Sequence, residues 1–268
     1  MTTQISLFEH LIGDVYSQSD LSSSLALVSV AGNDYANFLA SNTSFYVRRH
    51  SLLCFTKNYL YINQIFKISD NVTNGPRKLW FVELFIFILY RTLHALPGFI
   101  KKVVDQTKVN LRRIHTLGVK KIVVPSLAPL GCIPSFVKSS LIQGRCNDIL
   151  NLFVDIHNAL LHQVVTNLNN ETNHTTFVIF YYNNAFSTVF KNKGENPGST
   201  TTFKTPFKAC CEGTCSVVDA KGVKDYTLFD DPKSAFFWDG LHPTQEGSRA
   251  VYAVLAKNIT ASLTISEI

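Results

Sequence analysis

The chain has 268 residues, 46% of them hydrophobic and 16% charged, a balance that excludes a disordered polypeptide and fits one α/β domain. Its formal charge of +6 would suit an anionic partner, but residues 45–95 carry seven Lys/Arg against two Asp/Glu, leaving only +1 for the rest of the chain. The charge is local, so it gives no ground for a nucleic-acid-binding protein.

The first twenty residues, MTTQISLFEHLIGDVYSQSD, lack the basic start and apolar core of a secretory leader. Ile5, Phe8, Leu11 and Ile12 instead predict an amphipathic helix, so the chain reads as beginning inside a fold. SLALVSVAGNDY (24–35) is a short apolar run ending at Gly32, the pattern of a buried parallel strand. GFIKKVVDQTKVNLRRIHTLG (98–118) has Phe99, Val103, Leu111 and Ile114 near helical spacing, with Gly118 as C-cap. VKKIVVPSLAPLGCIP predicts a strand and a loop. CNDILNLFVDIHNALLHQVVTNLNN (146–170) predicts a helix capped by Asn147 or Asp148, and TTFVIFYYNNAF a third strand. A Cys-rich loop and a final helix follow. Alternating strands and helices argue for an α/β fold, a parallel sheet with helices on both faces. Ligand sites in such sheets lie beyond the carboxyl ends of the strands, where Gly32–Asn33–Asp34 falls.

Residues 45–95 break the pattern, holding eleven of the chain's 32 aromatics. Within them LWFVELFIFILY (79–90) is apolar except for Glu83; at twelve residues it is shorter than the ~20 a membrane-spanning helix needs, so no stable span is expected. A buried helix, a buried strand and an interfacial segment all fit it. The six cysteines (54, 132, 146, 210, 211 and 215) and sequons at Asn42, Asn71, Asn170, Asn173 and Asn258 favour a secretory origin. A zinc site at Cys210, Cys211 and Cys215 is disfavoured, because no His or Cys follows at ligand spacing.

The chemistry-bearing stretch is WDGLHPTQEGSRAVYAVLA (238–256). His242 suits a general base, since imidazole titrates near neutral pH. Asp239, three residues earlier, suits the carboxylate that fixes its tautomer, and Gly240 and Pro243 suit the turn that would bring the two together. Asn33 can donate a side-chain N–H to an oxyanion. Taken singly, D-x-x-H also reads as a turn before a helix, and GND as a polar turn after a strand.

Together, SLALVSVAGNDY, NLRRIHTLGVKKIVVPSLAPLGCIPS and DDPKSAFFWDGLHPTQEGSRAVY resemble the plant GDSL esterase/lipases of the SGNH hydrolase superfamily, over residues 1–44 and roughly 96–268. The resemblance implies a flavodoxin-like SGNH fold in a single domain over 1–268, and a secreted hydrolase. It would cleave a small ester or lipid through an acyl-serine intermediate, without cofactor or metal. It assigns Asp239 and His242 as triad acid and base and Asn33 to the oxyanion hole. The family's nucleophile lies in a Gly-Asp-Ser-Leu block that these residues do not contain; IGDVYS (12–17) has Gly13–Asp14 but no Ser after them. The block supplying an oxyanion-hole Gly is also missing. The expectation is a chain truncated at its N-terminus and lacking the first strand, with an inactive lipid- or glycan-binding remnant as the alternative. Such a sheet should show a gap between two strands, or part of 79–90 filling it. Against the family, residues 45–95 are an insertion, either translated non-coding sequence or a real added element. Phe229 stands where the family has Cys, so one cysteine of the 210–215 cluster would lack its partner. Cys132 and Cys146, bracketing GCIPSFVKSSLIQGRC, are expected to form a disulfide in an oxidising compartment.

Overall fold

The computed structural model describes residues 1–29, 32–43, 76–137, 145–192, 203–229 and 231–263; Cys54, the Asn71 sequon and all of the atypical segment before residue 76 lie outside them. The described residues group into two compact units, Met1–Ser29 with Gln106–Ile268, and Val30–Asp105.

The first unit holds the sheet. Helices α1 (Thr2–Glu9) and α2 (Gln18–Ser22) precede β1 (Leu25–Leu27). A capping box starts α2: the Asp20 amide donates to Ser17 Oγ while the Ser17 amide donates to Asp20 Oδ2. β2 (Lys121–Pro125) and β3 (Phe177–Phe180) complete a parallel sheet in the order β1-β2-β3, with Ala26 opposite Ile122 and Val123 opposite Val178. Ile122, Val123 and Val124 are buried without alternation, as a central parallel strand requires.

Two expectations are corrected here. The sequence predicts a buried β1, yet Leu25 and Leu27 are 48% and 60% exposed, because among the described residues β1 pairs only with β2 and forms an edge. Among the described residues the sheet also has no gap, since each strand is bonded directly to its neighbour. Residues 79–90 do not enter it: they lie in helix α4 (Pro76–Thr116), which carries Pro97 inside it. Pro97–Gly98 looks like a boundary in the sequence. The helix runs through it, at the cost of the hydrogen bond a proline amide cannot make.

Helix α5 (Pro134–Val137) follows a 3-10 turn over Leu130–Cys132. Helix α6 (Asp148–Thr172) is capped by Asn147, whose side chain accepts from the Leu150 amide, and ends at Asn173 in the left-handed region. Its buried positions Val154, His157, Leu161, Val164 and Leu168 recur at helical spacing. Helix α7 (Tyr182–Lys191) and helix α8 (Gln245–Leu263) enclose an aromatic core with Phe186, Phe203, Phe236, Phe237, Val251 and Leu255. The stretch read as a Cys-rich loop includes an antiparallel hairpin, β4 (Cys211–Val218) and β5 (Lys224–Leu228). Its turn is set by Asp219 Oδ1, which accepts from the Lys221 and Val223 amides.

In the second unit, α3 (Gly32–Thr43) meets the N-terminal part of α4 through aromatic contacts. Phe38 stacks on Phe99 at 4.3 Å between centroids, and Tyr35 meets it edge-on at 5.7 Å. Leu96, Ile100 and Val104 are buried.

Candidate active site

Phe236 and Phe237 are fully buried in the aromatic core, so the chain leaves it at a fixed point and enters the turn Trp238–Pro243. The turn closes when the Trp238 amide donates to the His242 carbonyl at 2.8 Å and the Thr244 amide to the Phe236 carbonyl at 2.8 Å. Buried Thr244 then starts α8: its hydroxyl donates to Ala235 O at 2.6 Å and accepts from the Gly247 amide at 2.9 Å. A Cβ at Gly247 would collide with the Phe236 carbonyl, so only glycine lets α8 lie this close.

Inside the turn, Asp239 Oδ1 accepts from the backbone amides of Leu241 and His242, both at 2.7 Å. The carboxylate is thereby fixed to its own backbone, and it meets His242 Nδ1 at 2.9 Å through Oδ2 and 3.1 Å through Oδ1. Partial burial pushes the Asp239 carboxyl up. Hydrogen bonds from the His242 ring and from the His242 and Leu241 amides outweigh it, holding the group below the ordinary carboxylate range. An ionised carboxylate can only accept, so Nδ1 is the donor in this pair, and in the neutral ring Nε2 keeps the lone pair. The His242 side chain is 72% exposed against 27% for Asp239, so the base is open to reactants and its partner is sheltered. This arrangement can take a proton from a hydroxyl and hold the resulting imidazolium.

The turn is tied to the rest of the unit on two sides. The Cys210 and Cys211 amides donate to the carbonyls of Phe237 and Trp238 at 3.0 and 2.8 Å. On the other side, Ser135 donates twice to the Gly240 carbonyl. Neither tie is legible in the sequence, because the partners lie 27 and 105 positions away.

Asp239 and His242 are therefore in direct contact. Asn33 is exposed in the first turn of α3, in the second unit. Cys132 and Cys146 form a disulfide, Cα atoms 4.3 Å apart, and Cys211 and Cys215 form another. The second bridge consumes two of the three thiols in the disfavoured zinc reading. Cys210 is buried outside both bridges, and its carbonyl accepts from the Phe229 amide at 2.8 Å.

The profile of the GDSL-like Lipase/Acylhydrolase family matches residues 87–255. The chain belongs to the GDSL esterase/lipase family. The GDSL esterase/lipase At5g03610 of Arabidopsis thaliana is 49% identical over 270 residues, covering 98% of this chain and 61% of the relative. The GDSL esterase/lipase At3g09930 of the same plant is 46% identical over 268 residues, covering 97% of this chain and 62% of the relative. The chain thus spans about three fifths of the length of these relatives. Its mixed architecture, a three-stranded parallel sheet with helices, agrees with the SGNH fold. Among the described residues, no helix is long and apolar enough to cross a membrane.

Proposed function

We propose that this GDSL chain carries the acid–base half of a carboxylic-ester hydrolase site, acting on small ester or lipid substrates by Ser-His-Asp chemistry. Asp239 holds the His242 ring with Nε2 open. His242 takes the proton of an attacking serine hydroxyl and returns it to the leaving alcohol, and Asn33 donates to the oxyanion. The observation that carries the reading is the Asp239 carboxylate, pinned by two backbone amides, on Nδ1 of an exposed histidine. The attacking serine belongs to the family's Gly-Asp-Ser-Leu block, which is not among these 268 residues. A polypeptide of exactly this sequence therefore holds the base without its nucleophile. The five sequons and two disulfides support passage through an oxidising secretory compartment.

The test uses a chromogenic short-chain ester and a fluorophosphonate probe. The 268-residue chain should show no stoichiometric burst and no covalent labelling. A polypeptide that adds the family's Gly-Asp-Ser-Leu block should show both, and lose the burst on His242→Ala. Fluorophosphonate labelling of a serine in the 268-residue chain, or a burst that survives His242→Ala, would overturn the proposal.

A further inference from the structure

We infer that Ser135 is a positioning residue for the Asp239–His242 pair, fastening the turn that carries them to the body of the first unit. The inference rests on the reading of that pair as acid and base, but its test does not use esterase activity.

The hydrogen bonds inside the turn hold Asp239 to His242; they do not say where the turn sits. The Asp239 carboxylate takes the Leu241 and His242 amides, and the Trp238 amide takes the His242 carbonyl. The Gly240 carbonyl, at the apex, points out of this set and receives both donors of one residue: Ser135 Oγ at 2.7 Å and the Ser135 amide at 3.0 Å. A carbonyl oxygen has two lone pairs, and Ser135 fills both. A Cβ at position 240 would also collide with Ser135 Oγ, so glycine leaves room for this contact.

Ser135 is itself held on a braced support. It lies in α5, directly after the 3-10 turn whose Cys132 is bridged to Cys146. The Gly131 amide donates to Asn151 Oδ1 at 2.8 Å, and the Asn147 amide to the Gly131 carbonyl at 2.8 Å. A Cβ at Gly131 would collide with the Asn147 carbonyl, so this turn sits directly against the start of α6. The chain of restraint runs from α6 through the disulfide-bridged turn to Ser135, then to Gly240 and the pair. General-base catalysis depends on placing Nε2 within hydrogen-bond reach of the attacking hydroxyl. A small displacement of the turn would therefore matter even with Asp239 and His242 still in contact.

The experiment follows amide hydrogen exchange across the chain, with relaxation dispersion at the His242 ring nitrogens. In Ser135→Ala, losing one of the two donors should speed exchange at Trp238, Leu241 and His242 by about five- to tenfold. Dispersion should appear at His242, while the Ile122 and Val124 amides of β2 keep their rates. Ser135→Thr, which retains the hydroxyl, should restore wild-type behaviour. Gly240→Ala, which displaces Oγ without altering Ser135, should reproduce the alanine variant. Unchanged turn amides in Ser135→Ala would overturn the inference, as would equal acceleration at β2, which would mark a general loss of stability. Failure of the hydrolase reading would appear differently, as a burst independent of His242 with these exchange effects intact.

Discussion

His157 makes the stability of the first unit depend on pH in a window set by its burial. It lies on the inner face of α6 between Val154 and Leu161 and is 3% exposed. Burial disfavours the imidazolium and pulls the pKa of the ring down to about 4 from its ordinary 6.5. The unfolded chain therefore binds a proton at this site between those two values and the folded chain does not. Folding is favoured in full above pH 6.5, and the contribution is lost as pH falls towards 4. A fall of that size corresponds to roughly 3 kcal/mol, a large part of the roughly 5–15 kcal/mol typical of a domain. Urea unfolding followed by tryptophan fluorescence at pH 4, 5, 6 and 7 would measure it, with His157→Gln in parallel. The variant should start less stable at pH 7 and lose much less on acidification. Parallel pH profiles for the two proteins would refute the argument, since the remaining histidines and carboxylates are common to both.

Three further outcomes follow from the packing. Replacing Cys132 and Cys146 by serine opens a loop of about 15 residues, and should lower stability by roughly 3 kcal/mol, read as a drop in the thermal midpoint under oxidising conditions. Gly247→Ala drives a Cβ into the Phe236 carbonyl, and should cost about 1–3 kcal/mol in denaturant unfolding while leaving the Asp239–His242 hydrogen bonds intact by NMR. Phe229→Cys should form a bridge with Cys210, visible as one alkylated thiol fewer than in the parent chain by mass spectrometry, because the Phe229 amide already bonds the Cys210 carbonyl.

The parts of the fold that were legible are those whose signal is local. β2, β3 and α6 follow from apolar run length, helical spacing and a capping Asn147 that the structure uses. Two kinds of element carry a misleading local signal. α4 reads as ending at Pro97–Gly98, because a proline inside a helix is rarer than one at its edge. The β4–β5 hairpin is masked by the cysteines at its start: Cys210, Cys211 and Cys215 read as metal or redox residues, while Asp219 and Gly222, which make its turn, are ordinary loop residues in isolation. β1 was recognised as a strand, but its environment was not. SLALVSV has the same apolar run in a central strand and at an edge, and only the pairing partners distinguish them.

The site divides along the same line. Asp239 and His242 are readable because all of their mutual geometry is made within one turn: two amides, one carboxylate and one ring, three residues apart. What fixes that turn in space is not readable, because it comes from Ser135, Cys210 and Cys211, whose sequence neighbourhoods carry no mark of it. A motif of this kind therefore specifies the chemical relation between acid and base, and the scaffold specifies where the base points. Substitution of the Asp239 carboxylate should change which ring nitrogen is protonated. Substitutions at the ties should leave the protonation state alone and change only the freedom of the ring, so the two classes are separable by the histidine nitrogen shifts and their relaxation in one sample.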